Sequence, residues 1–138
     1  MVRPCLSSRG LLALGVGLVM VAGIACAAAQ TDFPFGREVL LDTKPMKGSK
    51  RVPSLDIAEN GLAEIDLWCN SVKGQMVVAG DTITIITGAK TDRSCPPERM
   101  RGDEEVLAAL NEVTNWRLEG DILVLTGART LRFRVPTN

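Results

Sequence analysis

The chain has no histidine among its 138 residues, which removes the commonest general base and the commonest metal ligand together. Cysteine is scarce: there are four, and Cys5 and Cys26 both fall in an N-terminal stretch that reads as a targeting segment. Neither charge is in excess, with 16 basic residues against 16 acidic ones. Such balance gives no electrostatic case for nucleic acid, which needs a concentrated basic face. Nucleophile elbow, phosphate loop and metal-binding spacings are all missing. Serines and threonines have no histidine to activate them, and no carboxylates are spaced as an acid–base pair. These absences argue against an enzyme, a cofactor and a metal site. Two sulfurs without histidine would need carboxylates to complete a zinc tetrahedron.

What is present begins with residues 1–29, which read as a secretory signal. Arg3 and Arg9 make a positive start, Leu11 to Ile24 is apolar, and Ala27-Ala28-Ala29 supplies the small residues a signal peptidase needs. A competing reading makes Gly23-Ile24-Ala25-Cys26 a lipoprotein box with acylation at Cys26, although Gly23 stands where a larger aliphatic residue is usual. An uncleaved membrane anchor is the third option. Conventional cleavage leaves residues 30–138, the length of one domain. Without Arg3 and Arg9 the balance becomes slightly acidic.

The remaining chain is dominated by period-two alternation. Arg37 to Leu41 reads as a short strand, followed by a basic loop from Lys44 to Arg51. Leu55 and Ile57 alternate with polar neighbours, Asn60-Gly61 is a preferred two-residue hairpin turn, and Ala63, Ile65 and Leu67 resume the alternation. Gly74 to Val78 and Thr82 to Thr87 form a hairpin around Ala79-Gly80-Asp81, with Thr82, Thr84 and Ile86 on one face and Ile83 and Ile85 on the other. In Asp103 to Val113 the period changes, placing Val106, Leu107, Leu110 and Val113 on one helical face. Gly102 or Asp103 is the expected cap, and Asp103, Glu104 and Glu105 the expected complement to the helix dipole. Strands return at Trp116 to Leu118, Ile122 to Thr126 and Thr130 to Val135. The expected fold is mainly β (α+β): a compact antiparallel domain of about eight short strands with one amphipathic helix.

Cys69 and Cys95 are the pair left after export. An oxidising compartment favours a single structural disulfide between them, with a labile redox-sensing bridge or two free thiols as alternatives. Asn70 beside the cysteine suits a turn-forming amide, or a ligand contact. Trp68 suits packing against the bridge, or an exposed aromatic anchor for a partner. Arg93 to Arg101 reads as a long loop carrying Arg93 and Arg99, stiffened by Pro96 and Pro97. It is either solvated or a preorganised binding loop. The Lys44 to Arg51 cluster could brush anionic lipid, but four cations on an acidic domain are few.

Trp68-Cys69-Asn70-Ser71-Val72-Lys73-Gly74 resembles the Gly-Cys-Asn-x-x-x-Gly signature of the META domain, the family of the heat-shock protein HslJ. Thr91-Asp92-Arg93-Ser94-Cys95-Pro96 looks like its Thr-x-x-x-Cys-Pro segment. Ala108-Ala109-Leu110 with Val113 to Asp121 matches its helix, strand and turn, and Leu131-Arg132-Phe133 its closing strand. Trp68 replaces the family's glycine, and the family's opening tryptophan is replaced by Phe35 or lost. The resemblance spans residues 36–135 and implies an envelope domain linked to stress tolerance or secretion, with no agreed reaction. The expected function is therefore an exported, non-catalytic domain, periplasmic or secreted, that binds an envelope protein or small ligand. Its contact with membrane would come only through the signal segment or lipidation. The alternative is an inhibitor of a secreted hydrolase (protease or lysozyme), acting through a Cys95-Pro96-Pro97 loop.

Overall fold

Alternating side chains give the sheet one buried face. A computed structural model describes residues 32–137; the signal segment and Cys26 lie outside the described residues. Its elements are β1 (Arg37–Leu41), β2 (Ser54–Ile57), β3 (Leu62–Asp66), β4 (Ser71–Ala79), β5 (Thr82–Lys90), α1 (Pro97–Asn111), β6 (Asn115–Glu119), β7 (Ile122–Thr126) and β8 (Thr130–Arg134). Each strand pairs antiparallel with the next, and β8 returns to β1 through Leu40 with Arg134 and Leu41 with Phe133. The result is a closed up-and-down barrel of eight strands, in which every strand has a partner on both sides.

Inward-facing Val39, Leu55, Ile57, Ile65, Leu123, Leu125 and Phe133 fill the barrel. In β5, Ile83 and Ile85 point in while Thr82, Thr84 and Ile86 point out, as the alternation requires. In β8, Phe133 is buried between exposed Arg132 and Arg134. The first hairpin differs from expectation. Ala58 pairs with Leu62, the Gly61 amide donates to Ala58 O, and Gly61 alone takes positive φ. Asn60 keeps negative φ, so the loop is a three-residue turn with a glycine bulge and not a two-residue Asn-Gly turn.

β5 and β6 share a single registered pair, Thr82 with Asn115. The helix fills the opening where they diverge, laying Val106 and Leu110 into the core. It also begins earlier than the apolar period suggests. Pro97 is its first residue, following Pro96 with φ −52° and ψ 143°, so Pro97 to Arg101 is helix and not loop. Gly102 and Asp103 are therefore interior residues, and Asp103 is not a cap. The first two turns carry no core-facing apolar residue, which hides them from periodicity, while proline at the first position is well suited to start a helix. Val113, expected on the helix, is buried just beyond its end. Ahead of β1, Phe33 joins the core and packs edge-on against Trp116 with centroids 5.1 Å apart.

Candidate functional site

The Leu67-Trp68-Cys69-Asn70 segment is the loop of the β3–β4 hairpin, closed by the Leu67 amide donating to Asn70 O. Such a tight loop leaves the Cys69 and Asn70 amides pointing away from the sheet ladder, and both need an acceptor. Asp103 supplies it from the helix. Its Oδ1 accepts from Cys69 N at 2.9 Å, and its Oδ2 accepts from Asn70 N at 2.9 Å and Asn70 Nδ2 at 3.0 Å. The carboxylate is fully buried, and three hydrogen bonds replace the water it gives up.

Asn70 passes the connection on. Its Oδ1 accepts from Thr91 Oγ1 at 2.8 Å and from Arg93 N at 2.7 Å. The segment after β5 is thus held against the hairpin loop by one amide and by the Cys69–Cys95 disulfide, whose Cα atoms are 6.1 Å apart. Bridge and amide act on the same stretch, so Arg93 to Cys95 is pinned at both ends. Gly102 completes the junction. A Cβ there would lie 2.6 Å from both Trp68 Cδ1 and Met46 Cε, so the missing side chain lets the indole lie on the helix. Arg99, in the first helical turn, donates through Nη2 to Gly48 O at 3.1 Å and ties the loop between β1 and β2 to the helix.

Between these parts runs an open groove of about 1170 Å³. It is lined by the 43–52 loop, by the disulfide with Arg93-Ser94, and by residues of β1 to β3. Of the residues singled out from sequence, Trp68, Cys69, Asn70, Arg93, Cys95 and Arg99 all line it; Pro96 does not. Asn70 is buried and its carbonyl and amide are used internally, whereas Trp68 is half-buried and Arg93 exposed. Sequence reasoning missed Asp103 as a partner of the cysteine loop, because nothing local links a helical acid to two amides more than thirty residues away. It also set Lys50 and Arg51 apart from Arg93 and Arg99, which share the groove.

Titration is perturbed elsewhere on the surface. The Lys90 ammonium is held above its ordinary value chiefly by its hydrogen bond to Glu104. Glu119 is held below its own, first by the hydrogen bond from Arg117 and then by that from Arg132. Among the described residues no cluster of three or more acids and cysteines could hold a metal, and no helix is long and apolar enough to cross a membrane.

A family model described as META domain matches residues 37–137. No curated protein matches the chain. Solved structures match in shape. A protein from Burkholderia xenovorans, determined by NMR, is 17% identical, covers 81% of this chain and 96% of its own, and has a TM-score of 0.60. Another NMR structure is 21% identical with a TM-score of 0.58, covering 72% of this chain and 89% of its own. A DUF4847 family protein from Bacteroides vulgatus reaches a TM-score of 0.50 at 16% identity, over 59% of this chain and 57% of its own. At these identities the likeness is one of fold.

Proposed function

From the premise that this chain belongs to the META domain family, we propose that it is an exported, non-catalytic binding domain of the cell envelope that supports stress tolerance by holding an envelope component in the groove beside its disulfide. The observation that carries this is the convergence of Trp68, Arg93 and Arg99 on one open recess braced by Cys69–Cys95 and Asp103. A braced recess loses little conformational entropy when it is filled, which favours binding. Export is supported by the signal-like residues 1–29 and by the bridge, which an oxidising compartment preserves. No step of catalysis is assigned: the groove offers arginine, lysine and two carboxylates, Glu38 and Asp66, without a nucleophile–base pair.

Insertion into a hydrolase cleft draws less support. Pro97 begins the helix, and the stretch before it is fastened through Asn70 and Cys69, so little is left to protrude. The test is capture from an envelope extract by the exported protein and by Ser94→Trp, which fills the groove from an exposed position. Loss of the captured component in the variant supports the reading; equal capture by both, or none by either, overturns it. Intact mass of the exported protein distinguishes a start at Gln30 from acylation at Cys26.

A further inference from the structure

Four ion pairs are formed among the described residues: Lys90–Glu104, Arg117–Glu119, Arg132–Glu119 and Arg134–Asp42. All lie away from the groove. The four cations that line it, Lys50, Arg51, Arg93 and Arg99, form none, although Glu38 and Asp66 line the same recess. Their placement explains this. The carboxylates stand on strands, Glu38 in β1 and Asp66 at the end of β3, while the cations stand on the 43–52 loop, the segment after β5 and the first helical turn.

Convergence costs something. Like charges repel, and the recess gathers four cations against only two carboxylates, with the basic 43–52 loop held to the helix by the Arg99–Gly48 hydrogen bond and by Met46 against Gly102. A flat membrane surface fits this poorly, because the cations line a recess. A soluble anion that enters the recess would meet several of them. Two guanidinium groups offer the planar fork that matches carboxylate and phosphate oxygens, and Trp68 offers an apolar face beside them.

We propose that this groove is an anion-binding site for a soluble ligand bearing two or more carboxylate or phosphate groups, contacted by Lys50, Arg51 and Arg93, with Arg99 holding the 43–52 loop in place. This rests on the binding role of the groove proposed above and names its ligand chemistry. The probes are citrate, pyrophosphate, neutral sucrose and vesicles containing phosphatidylglycerol, titrated by calorimetry into the oxidised protein. Citrate or pyrophosphate should bind with one-to-one stoichiometry, and sucrose should not. Affinity should fall at least tenfold in Arg51→Gln/Arg93→Gln, and weaken as salt is raised. Both residues are exposed, so the fold should survive, and an unchanged melting temperature checks this. Lys73→Gln/Arg129→Gln removes the same charge elsewhere on the exposed surface and should bind as the unaltered protein does. An equal fall in both variants would reduce the effect to net charge and overturn the site. Preference for the vesicles over free anions would overturn the soluble ligand. If neither anion binds while groove-dependent capture of an envelope component persists, the anion chemistry fails alone; if capture is also absent, both readings fail.

Discussion

Replacing Asp103 with alanine isolates the contact on which the groove's geometry depends. The substitution strips acceptors from Cys69 N, Asn70 N and Asn70 Nδ2 in one step. Each orphaned donor costs about 1–3 kcal/mol where water cannot replace the lost partner. Removing the carboxylate also relieves its own burial penalty of several kcal/mol, so the sum is not simply additive. Water reaching the half-buried Cys69 amide offsets it further. The expected net loss is about 3–4 kcal/mol, which for a domain of this size lowers Tm by roughly 15 °C. Asp103→Asn should lose about half as much, because its oxygen still accepts while its amide turns a donor toward a donor. Denaturant unfolding measures the loss, and hydrogen exchange locates it: the Cys69 and Asn70 amides should lose protection before the barrel strands do. A double-mutant cycle with Asn70→Ala should show coupling above about 1 kcal/mol, since the two side chains share a bond. If Asp103→Ala cost less than about 1 kcal/mol, or left those amides protected, the assignment of this carboxylate as the brace would be wrong.

Converting Cys69 and Cys95 together to serine opens a loop with a sequence separation of 26 and should cost about 3.5 kcal/mol on the chain-entropy account. Thermal unfolding with and without reductant measures it, and insensitivity to reductant would refute a structural bridge. Gly102→Ala improves intrinsic helix propensity by about 1 kcal/mol, yet its Cβ would meet the Trp68 ring. We expect a net loss near 1 kcal/mol in urea denaturation, and a gain would refute the close approach. For Glu119, the arginine hydrogen bonds hold the folded carboxyl below 4.5, so its stabilisation is present above that value and is lost as pH falls through the folded one. The difference in urea midpoint between the unaltered protein and Glu119→Gln should therefore shrink below pH 4.5. A gap that is constant with pH would be inconsistent with this.

Legibility in the sequence follows how local each determinant is. The strands of β5 and β8 are readable because a half-buried strand must alternate, and Ile83-Thr84-Ile85 and Arg132-Phe133-Arg134 do so without exception. Asn60-Gly61 marks its turn, but whether Asn60 adopts positive φ depends on register across the hairpin, which the dipeptide does not encode. The start of α1 is hidden because Pro97 to Arg101 faces solvent or loop and carries no period, and because Gly102 argues against a helix interior on propensity alone. Its benefit lies in Trp68, far away in sequence. Closure of β8 onto β1 is also beyond local reading. It depends on accumulated stagger around the barrel, not on any residue at the seam.

The site divides along the same line. Cys69 and Cys95 stand out because no other cysteines fall within the domain, and Trp68, Arg93 and Arg99 because of their proximity to that pair. Asp103 is invisible for the opposite reason: an acid within an acidic run has an adequate explanation in the helix dipole, and its burial appears only when the hairpin loop arrives. The bridge and the carboxylate then fasten one loop by different chemistry, the first to the chain after β5 and the second to the helix. Reduction alone would leave Asp103 bonded to the Cys69 and Asn70 amides, and Asn70 bonded to Arg93 N. Loss of the carboxylate would leave the disulfide and the Asn70 bonds to Thr91 and Arg93, but would unfasten the loop from the helix. The position of Arg93 thus depends on both restraints, and the groove should keep its shape only while the two act together.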